Sequence, residues 1–336
     1  MAHLAPTSPP RARRARLQAD LTLLLVAAIW GSAFAAQRVA ALHMGAFLFN
    51  GLRFLLGALV LLPWAWRSPG RARHLKLDDL PESTADLRLP KPSATDLRLP
   101  GIALAGLLLF GAISFQQVGL RHTTASNAGF ITGLYVIFIP LILALPRAGG
   151  RVPRPAVWVA AGMAAAGLFL LSTGGTLRLA EGDALELACA VLFAFHVIWI
   201  GRLVQRVDAL HVALGQDLVC GLLSVAMHAR PAAVAVGARS TSLGVGLAFE
   251  VGGLPTSPEA WWAVVYTGVF STAIGYTLQA VGQRVAPAAD AAIILSLEAV
   301  FAAAFGWMLL GEHLSAVQLA GCGLMLAGML LAQRGR

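Results

Sequence analysis

Ten apolar stretches, each about as long as a helix needs to cross a bilayer, dominate this chain. They run approximately over 21–41, 45–66, 101–120, 125–146, 156–173, 183–203, 209–228, 259–280, 288–310 and 314–332. In lipid every backbone polar group must find its partner internally, so a spanning segment is a helix or a barrel strand. The alternating pattern of a barrel is absent, so all ten read as helices. Composition agrees: 58% of the 336 residues are hydrophobic and 12% charged, against about 25% charged in a soluble domain. The mean hydropathy is +0.74. The expected class is therefore an all-α integral membrane protein with ten transmembrane helices. Disorder, a coiled coil and a disulfide-rich scaffold are excluded. Cys189, Cys220 and Cys322 lie far apart in apolar runs, with no metal or disulfide spacing.

The net charge of +9, from 25 Lys+Arg against 16 Asp+Glu, would suggest a nucleic-acid partner in a soluble protein. Its placement says otherwise. With the amino terminus inside, cytoplasmic segments hold 19 of the basic residues and external ones hold 5, Arg53 lying within a span. That bias predicts both termini in the cytoplasm and an even number of spans. It also makes the lipid bilayer the partner and nucleic acid unnecessary. Arg11, Arg13, Arg14 and Arg16 before an apolar run, with Ala33-Phe34-Ala35, imitate a cleavable leader. Nine further spans favour an uncleaved first helix. Residues 1–20 read as a basic cytoplasmic tail. The connection 67–100 contains Asp-Leu-Arg-Leu-Pro twice (86–90 and 96–100) and reads as a flexible cytoplasmic linker; 229–258 reads as an external loop.

The two halves match at an offset of 163 residues. Val118-Gly119-Leu120-Arg121 aligns with Val281-Gly282-Gln283-Arg284, Gln116 with Gln279, Trp30 with Phe193 and Arg53 with Gln216. After the fourth span the offset slips to 161, pairing Gly162 with Gly323 and Gly167 with Gly328. The expected domains are a first repeat over 21–173 and a second over 183–332, each of five spans. An odd number of spans forces the second copy to enter from the opposite side. Such inverted repeats suit a carrier, because two similar halves can exchange conformations and expose one site alternately to each side.

Several stretches also carry a family likeness. Ser296-Leu297-Glu298-Ala299-Val300-Phe301, followed by Gly306-Trp307-Met308-Leu309-Leu310-Gly311-Glu312, resembles the closing repeat of the EamA-type transporters of the drug/metabolite transporter superfamily. Trp30-Gly31-Ser32-Ala33-Phe34 is similar to that family's first-helix signature and Arg53-Phe54-Leu55-Leu56 to its second. Gly129 to Pro140 resembles its fourth. The likeness covers about 21–332 and implies ten helices in two repeats, moving small metabolites, amino acids or drugs across the bacterial inner membrane. Ala299 stands where many members have proline, which removes the usual cause of a kink in the ninth helix. The connection 67–100 is longer than usual.

Inverted-repeat carriers bind substrate near the midplane, about ten residues into a span at 1.5 Å per residue. Tyr135 and Glu298, mates at the 163-residue offset, stand there. Asn127 and Asp290 are mates eight residues earlier, about two turns away and so expected on the same faces. A carboxyl at mid-bilayer costs about 2.5–3.5 kcal/mol on insertion scales, so Glu298 should face protein or water. There it would bind a substrate ammonium, exchange a proton, or tie two helices together as a neutral group. Trp30, Phe193, His196 and Tyr276 are the other expected substrate-binding residues. Phe34, Gln116, Asn127, Thr272, Gln279 and Asp290 are expected to line the cavity, and Pro140 to give a hinge. Arg53 starts near the external end of its helix, from which its long side chain can snorkel to the interface, and both it and Asp217 read as structural.

No zinc motif, nucleophile elbow or acidic selectivity ring appears, which sets an intramembrane enzyme and a channel behind a carrier. The expected function is secondary active efflux of amino acids or related metabolites, by a monomer or dimer with no cofactor and no metal. The partner is a small-molecule metabolite.

Overall fold

The computed structural model describes residues 10–68, 98–123, 125–146, 153–173, 182–229, 254, 257–310 and 314–334. The start of the basic tail, most of 67–100 and of 229–258, and Gly311 to His313 lie outside the described residues.

Among the described residues every regular element is helical. The first three rods are α1 (Pro10–His43), α2 (Ala46–Arg67) and α3 (Arg98–His122). The next is interrupted, giving α4 (Ala125–Gly133) and α5 (Tyr135–Ala144), and is followed by α6 (Pro155–Thr173). Then come α7 (Asp183–Leu203) and α8 (Ala209–His228). The rod after them begins as α9 (Pro258–Tyr266), widens to a π-helix over Thr267–Tyr276 and ends as α10 (Thr277–Gly282). A second interrupted rod gives α11 (Ala288–Leu295) and α12 (Glu298–Leu310), and α13 (Ala316–Arg334) closes the fold.

Seven of these helical stretches are long and apolar enough to cross a membrane, and Ala128–Ala144, Pro155–Leu171 and Ala316–Ala332 are shorter apolar helices. Leucines such as Leu25, Leu59, Leu107 and Leu222 stand exposed along the rods. Trp64 and Trp66 stand exposed at one end of α2, with Trp261, Trp262 and Trp307 exposed on other rods, as suits aromatic anchors at lipid–water boundaries. The chain is a multi-pass membrane protein.

Three features depart from the sequence reading. First, α1 starts at Pro10 rather than near residue 21, because Ala, Arg, Leu and Gln of the basic segment are good helix formers and extend the apolar run. Second, both rods expected to carry the midplane residues are interrupted, at Leu134 and at Ser296–Leu297. The chain tightens there into three-residue turns. Leu134 N–H donates to Ile131 O at 3.1 Å and Leu297 N–H to Ile294 O at 3.1 Å. Neither break contains proline. Pro140, the expected hinge, sits inside α5, which continues through it. Third, the eighth expected span is not one regular α-helix but contains ten residues of π-helix, a widening that recurs at functional sites.

Packing centres on small residues. α1 crosses α12, α2 packs on α8, α3 on α7 and α8, and α6 on α13. A Cβ on Gly31 of α1 would lie 2.5 Å from the Glu298 carbonyl oxygen and 2.8 Å from Ala302 N. Glycine there lets α12 approach α1 at its first residue, which brings Trp30 and Glu298 to the same level.

Candidate substrate cavity

A cavity opens where the broken rods meet α1, α2, α3, α7 and the π-helix. It offers about 40 Å³ to water centres, enough for about three waters at about 10–15 Å³ each. Its wall has a pattern that follows the sequence repeat. Trp30 and Phe193, Phe34 and Val197, Gln116 and Gln279, Thr132 and Leu295, and Tyr135 and Glu298 all line it, and each pair is separated by 163 residues. The remaining lining residues are Gln37, Arg53, Ser271 and Tyr276. Their positional mates, Ile200, Gln216, Leu108 and Ile113, do not reach the cavity.

The aromatic side is held by a close approach. Trp30 Nε1 donates to the Ser271 carbonyl at 3.0 Å, and a Cβ on Gly275 would stand 2.5 Å from that nitrogen. Glycine at 275 therefore lets the indole reach the π-helical backbone. Tyr276 packs on Trp30, with ring centroids 5.1 Å apart, and on Phe54 at 5.8 Å. The result is an apolar wall able to hold an aliphatic or aromatic side chain.

Glu298 is the first residue of α12 and is buried. Tyr135 is likewise the first residue of α5. Its hydroxyl sits beside the Glu298 carboxyl and interacts with it. A polar substrate group entering beside them would meet an acceptor and a hydroxyl.

Of the expected substrate-binding residues, Trp30, Tyr135, Phe193, Tyr276 and Glu298 line the cavity, as do Phe34, Gln116 and Gln279 of the expected lining set. His196 does not. It is fully buried behind the wall, its Nε2 2.9 Å from Gln216 Oε1, with its ring edge-on to Phe193 and Tyr276. Thr272 is also buried behind the wall, its methyl group lying where a Cβ on Gly57 of α2 would come within 2.6 Å. Asp290 turns away as well, its Oδ2 4.0 Å from Arg154 before α6. The expected shared face of Asp290 and Glu298 fails because the break at Ser296–Leu297 lies between them. Asn127 falls on α4, and its side chain lies outside the described residues.

The sequence reading missed Arg53 as a cavity residue. It was expected near the end of its helix, free to snorkel. Instead it is 3% exposed and lines the cavity. Its NH1 donates to Gln37 Oε1 at 3.0 Å, and its guanidinium lies 4.9 Å from the Phe49 ring and 5.1 Å from that of Phe54. The signal that would have found it is Gln37, three residues from Phe34 and thus on the expected cavity face of α1. Among the described residues no cluster of three or more His, Cys, Asp or Glu is arranged to hold a metal.

Comparison with known proteins fits this architecture. The EamA-like transporter family model matches residues 17–173 and again 180–333. An uncharacterized transporter of Archaeoglobus fulgidus is 31% identical over 94% of this chain and 86% of its own length. The threonine/homoserine exporter RhtA of Escherichia coli strain K12 is 29% identical over 92% of this chain and 89% of its own. One crystal structure, 21% identical, superposes with a TM-score of 0.68 over 96% of this chain and 99% of that one.

Proposed function

Because the chain belongs to the EamA-like transporter family, we propose that it is a secondary carrier exporting amino acids or closely related small metabolites. Its ten spans form two inverted five-helix repeats, over 21–173 and 183–332, in a bacterial inner membrane with both termini in the cytoplasm. The observation that carries this reading is the cavity wall built from five pairs of residues at one sequence offset. A site shared by two similar halves is what alternating access requires. The packing supports the same view: α2 lies on its mate α8, and α6 on its mate α13. Rearrangement of the halves opens the site to one side or the other to admit and release substrate. The relative named for threonine and homoserine export favours short polar amino acids.

Glu298 takes the substrate ammonium in one half of the cycle and a proton in the other, so that export is driven by proton entry. The test is uptake of labelled threonine and homoserine into proteoliposomes with and without an imposed pH gradient. Wild-type protein should show saturable uptake that responds to the gradient. Glu298→Gln should abolish the response while the protein stays folded. An unaltered pH response in that variant overturns the coupling, and no saturable flux of any small metabolite overturns the carrier.

A further inference from the structure

The cavity is paired except at four positions. Gln37, Arg53, Ser271 and Tyr276 line it without lining mates. The symmetric residues serve a motion that exchanges the halves, whereas a substrate with unlike ends needs unlike groups. Arg53 is the group in question.

Its surroundings leave most of its hydrogen-bonding capacity unspent. A guanidinium has five N–H donors in a planar fork. One contact uses NH1, to Gln37 Oε1, and Nε is buried without a partner. Asp217 of α8 lies within electrostatic reach, yet neither of its carboxyl oxygens accepts a hydrogen bond, so it does not occupy the fork. The Phe49 and Phe54 rings stabilise the cation through their faces and accept none of its in-plane donors. A buried charge with open donors at a cavity wall is costly unless a ligand completes it, and the acceptor that fits a planar fork is a carboxylate.

We infer that Arg53 receives the substrate carboxylate while Glu298, on the opposite repeat, receives its ammonium, so that the site selects zwitterionic α-amino acids over amines and over acids lacking the ammonium. The inference rests on the carrier reading for its biological sense, but the binding it describes is testable alone. Gln37 is the positioning residue, since its amide oxygen holds NH1 and turns the rest of the fork toward the cavity. Tyr276 and Trp30 close over the side chain between the two charged ends. A lone arginine supplies one fork, which suits a single carboxylate better than a phosphate ester.

The experiment compares three probes: L-threonine, L-threoninol, which replaces the carboxylate by a hydroxymethyl group, and 3-hydroxybutyrate, which lacks the ammonium. Each is read as a competitor of labelled threonine uptake in proteoliposomes and as a ligand-induced rise of thermal midpoint in detergent. In wild-type protein threonine should outcompete each analogue by at least about tenfold, because a site built around a polar group rejects ligands that lack it. Arg53→Gln should bring threonine down to the level of threoninol while leaving threoninol unchanged. Arg53→Lys, with its charge but no fork, should fall between. Equal competition by threonine and threoninol in wild-type protein overturns the inference. So does an Arg53→Gln variant that loses affinity for both alike, which marks a structural role. Should that variant fail to fold, Gln37→Leu takes its place, with a selective loss of threonine affinity expected and equal losses overturning the inference. If threonine raises the wild-type midpoint and threoninol does not, yet no saturable uptake occurs, the carrier reading fails and the carboxylate site stands.

Discussion

The two interrupted rods, α4–α5 and α11–α12, are the same device with different chemistry. Both break at the same register, Leu134 being the mate of Leu297. Both restart with a residue that lines the cavity, Tyr135 in one and Glu298 in the other. Their flanks differ. The second break spans two residues, and the Ser296 hydroxyl donates to Ile293 O at 2.9 Å, back into the turn before it. The first break is a single residue following Gly133. What the comparison teaches is that the geometry is duplicated while the chemistry is not. The second rod carries a carboxyl and the first carries a phenol.

That contrast predicts unequal losses. The largest belongs to Glu298, where Glu298→Gln removes the pH response as described. Next comes Gly31→Val, which acts on the approach of α12 rather than on its chemistry. The new Cβ meets the Glu298 carbonyl and Ala302 N, backbone atoms that cannot rotate away. Overpacking of this kind costs about 1–3 kcal/mol, and because it displaces the start of α12, transport should fall with it. A lowered thermal midpoint alongside reduced uptake is expected; an unchanged midpoint would mean the helices do not meet as described.

Tyr135→Phe should be milder. The hydroxyl interacts with the Glu298 carboxyl, so its removal should cost about 0.5–1.5 kcal/mol. Its effect should appear as a several-fold rise in the threonine KM with the pH response intact. A lost pH response in this variant would place the two rods on an equal footing and break the contrast.

The smallest effect lies away from the cavity, at the turn before α8. Asp208 caps that helix, accepting from the Leu210 amide at 3.0 Å, and its other oxygen accepts from Arg284 NH2 at 3.0 Å. Partial burial pushes this carboxyl up, but the hydrogen bonds from Arg284, Leu210 and His211 and the Arg284 charge outweigh it and hold it below the ordinary carboxylate value. A depressed carboxyl contributes stability that is present at neutral pH and lost as pH falls below about 4, through its folded-state value. Asp208→Asn should therefore cost up to about 1 kcal/mol at pH 7, since asparagine still caps the helix and the partly exposed ion pair adds little. Its midpoint should converge with that of the wild type on acidification. Divergence at low pH would count against the cap as described.

The repeat and the central residues were legible in the sequence because they are carried by spacing. Tyr135 and Glu298 were found by depth and offset, and the structure brings both to one cavity. The breaks beside them were not legible. Leu134 and Leu297 are ordinary helix formers, and no proline marks either position. A tightening of one turn within a bundle is decided by tertiary packing, which overrides a weak local preference. The π-helix escaped for the same reason: Ser271 and Tyr276 reach the cavity only because the rod widens and Trp30 reaches its backbone. His196 was misplaced because a polar residue on a buried helix can pair with a neighbouring helix, here through Gln216, as readily as face a cavity, and Thr272 because its methyl group packs toward Gly57 of α2.

The sequence by itself determined the apolar spans, the offset between the halves and the membership in a transporter family. These are properties of composition and periodicity, which depend on how each segment meets lipid and not on which helix lies beside it. Only the tertiary structure decided that Arg53 is buried at the cavity rather than snorkelling, that Asp290 turns toward Arg154, and that Glu298 begins a new helix beside Trp30. Those outcomes depend on the rotation and separation of packed helices. A glycine such as Gly31 sets that separation to within an ångström, while its place in the sequence reads only as one small residue among many.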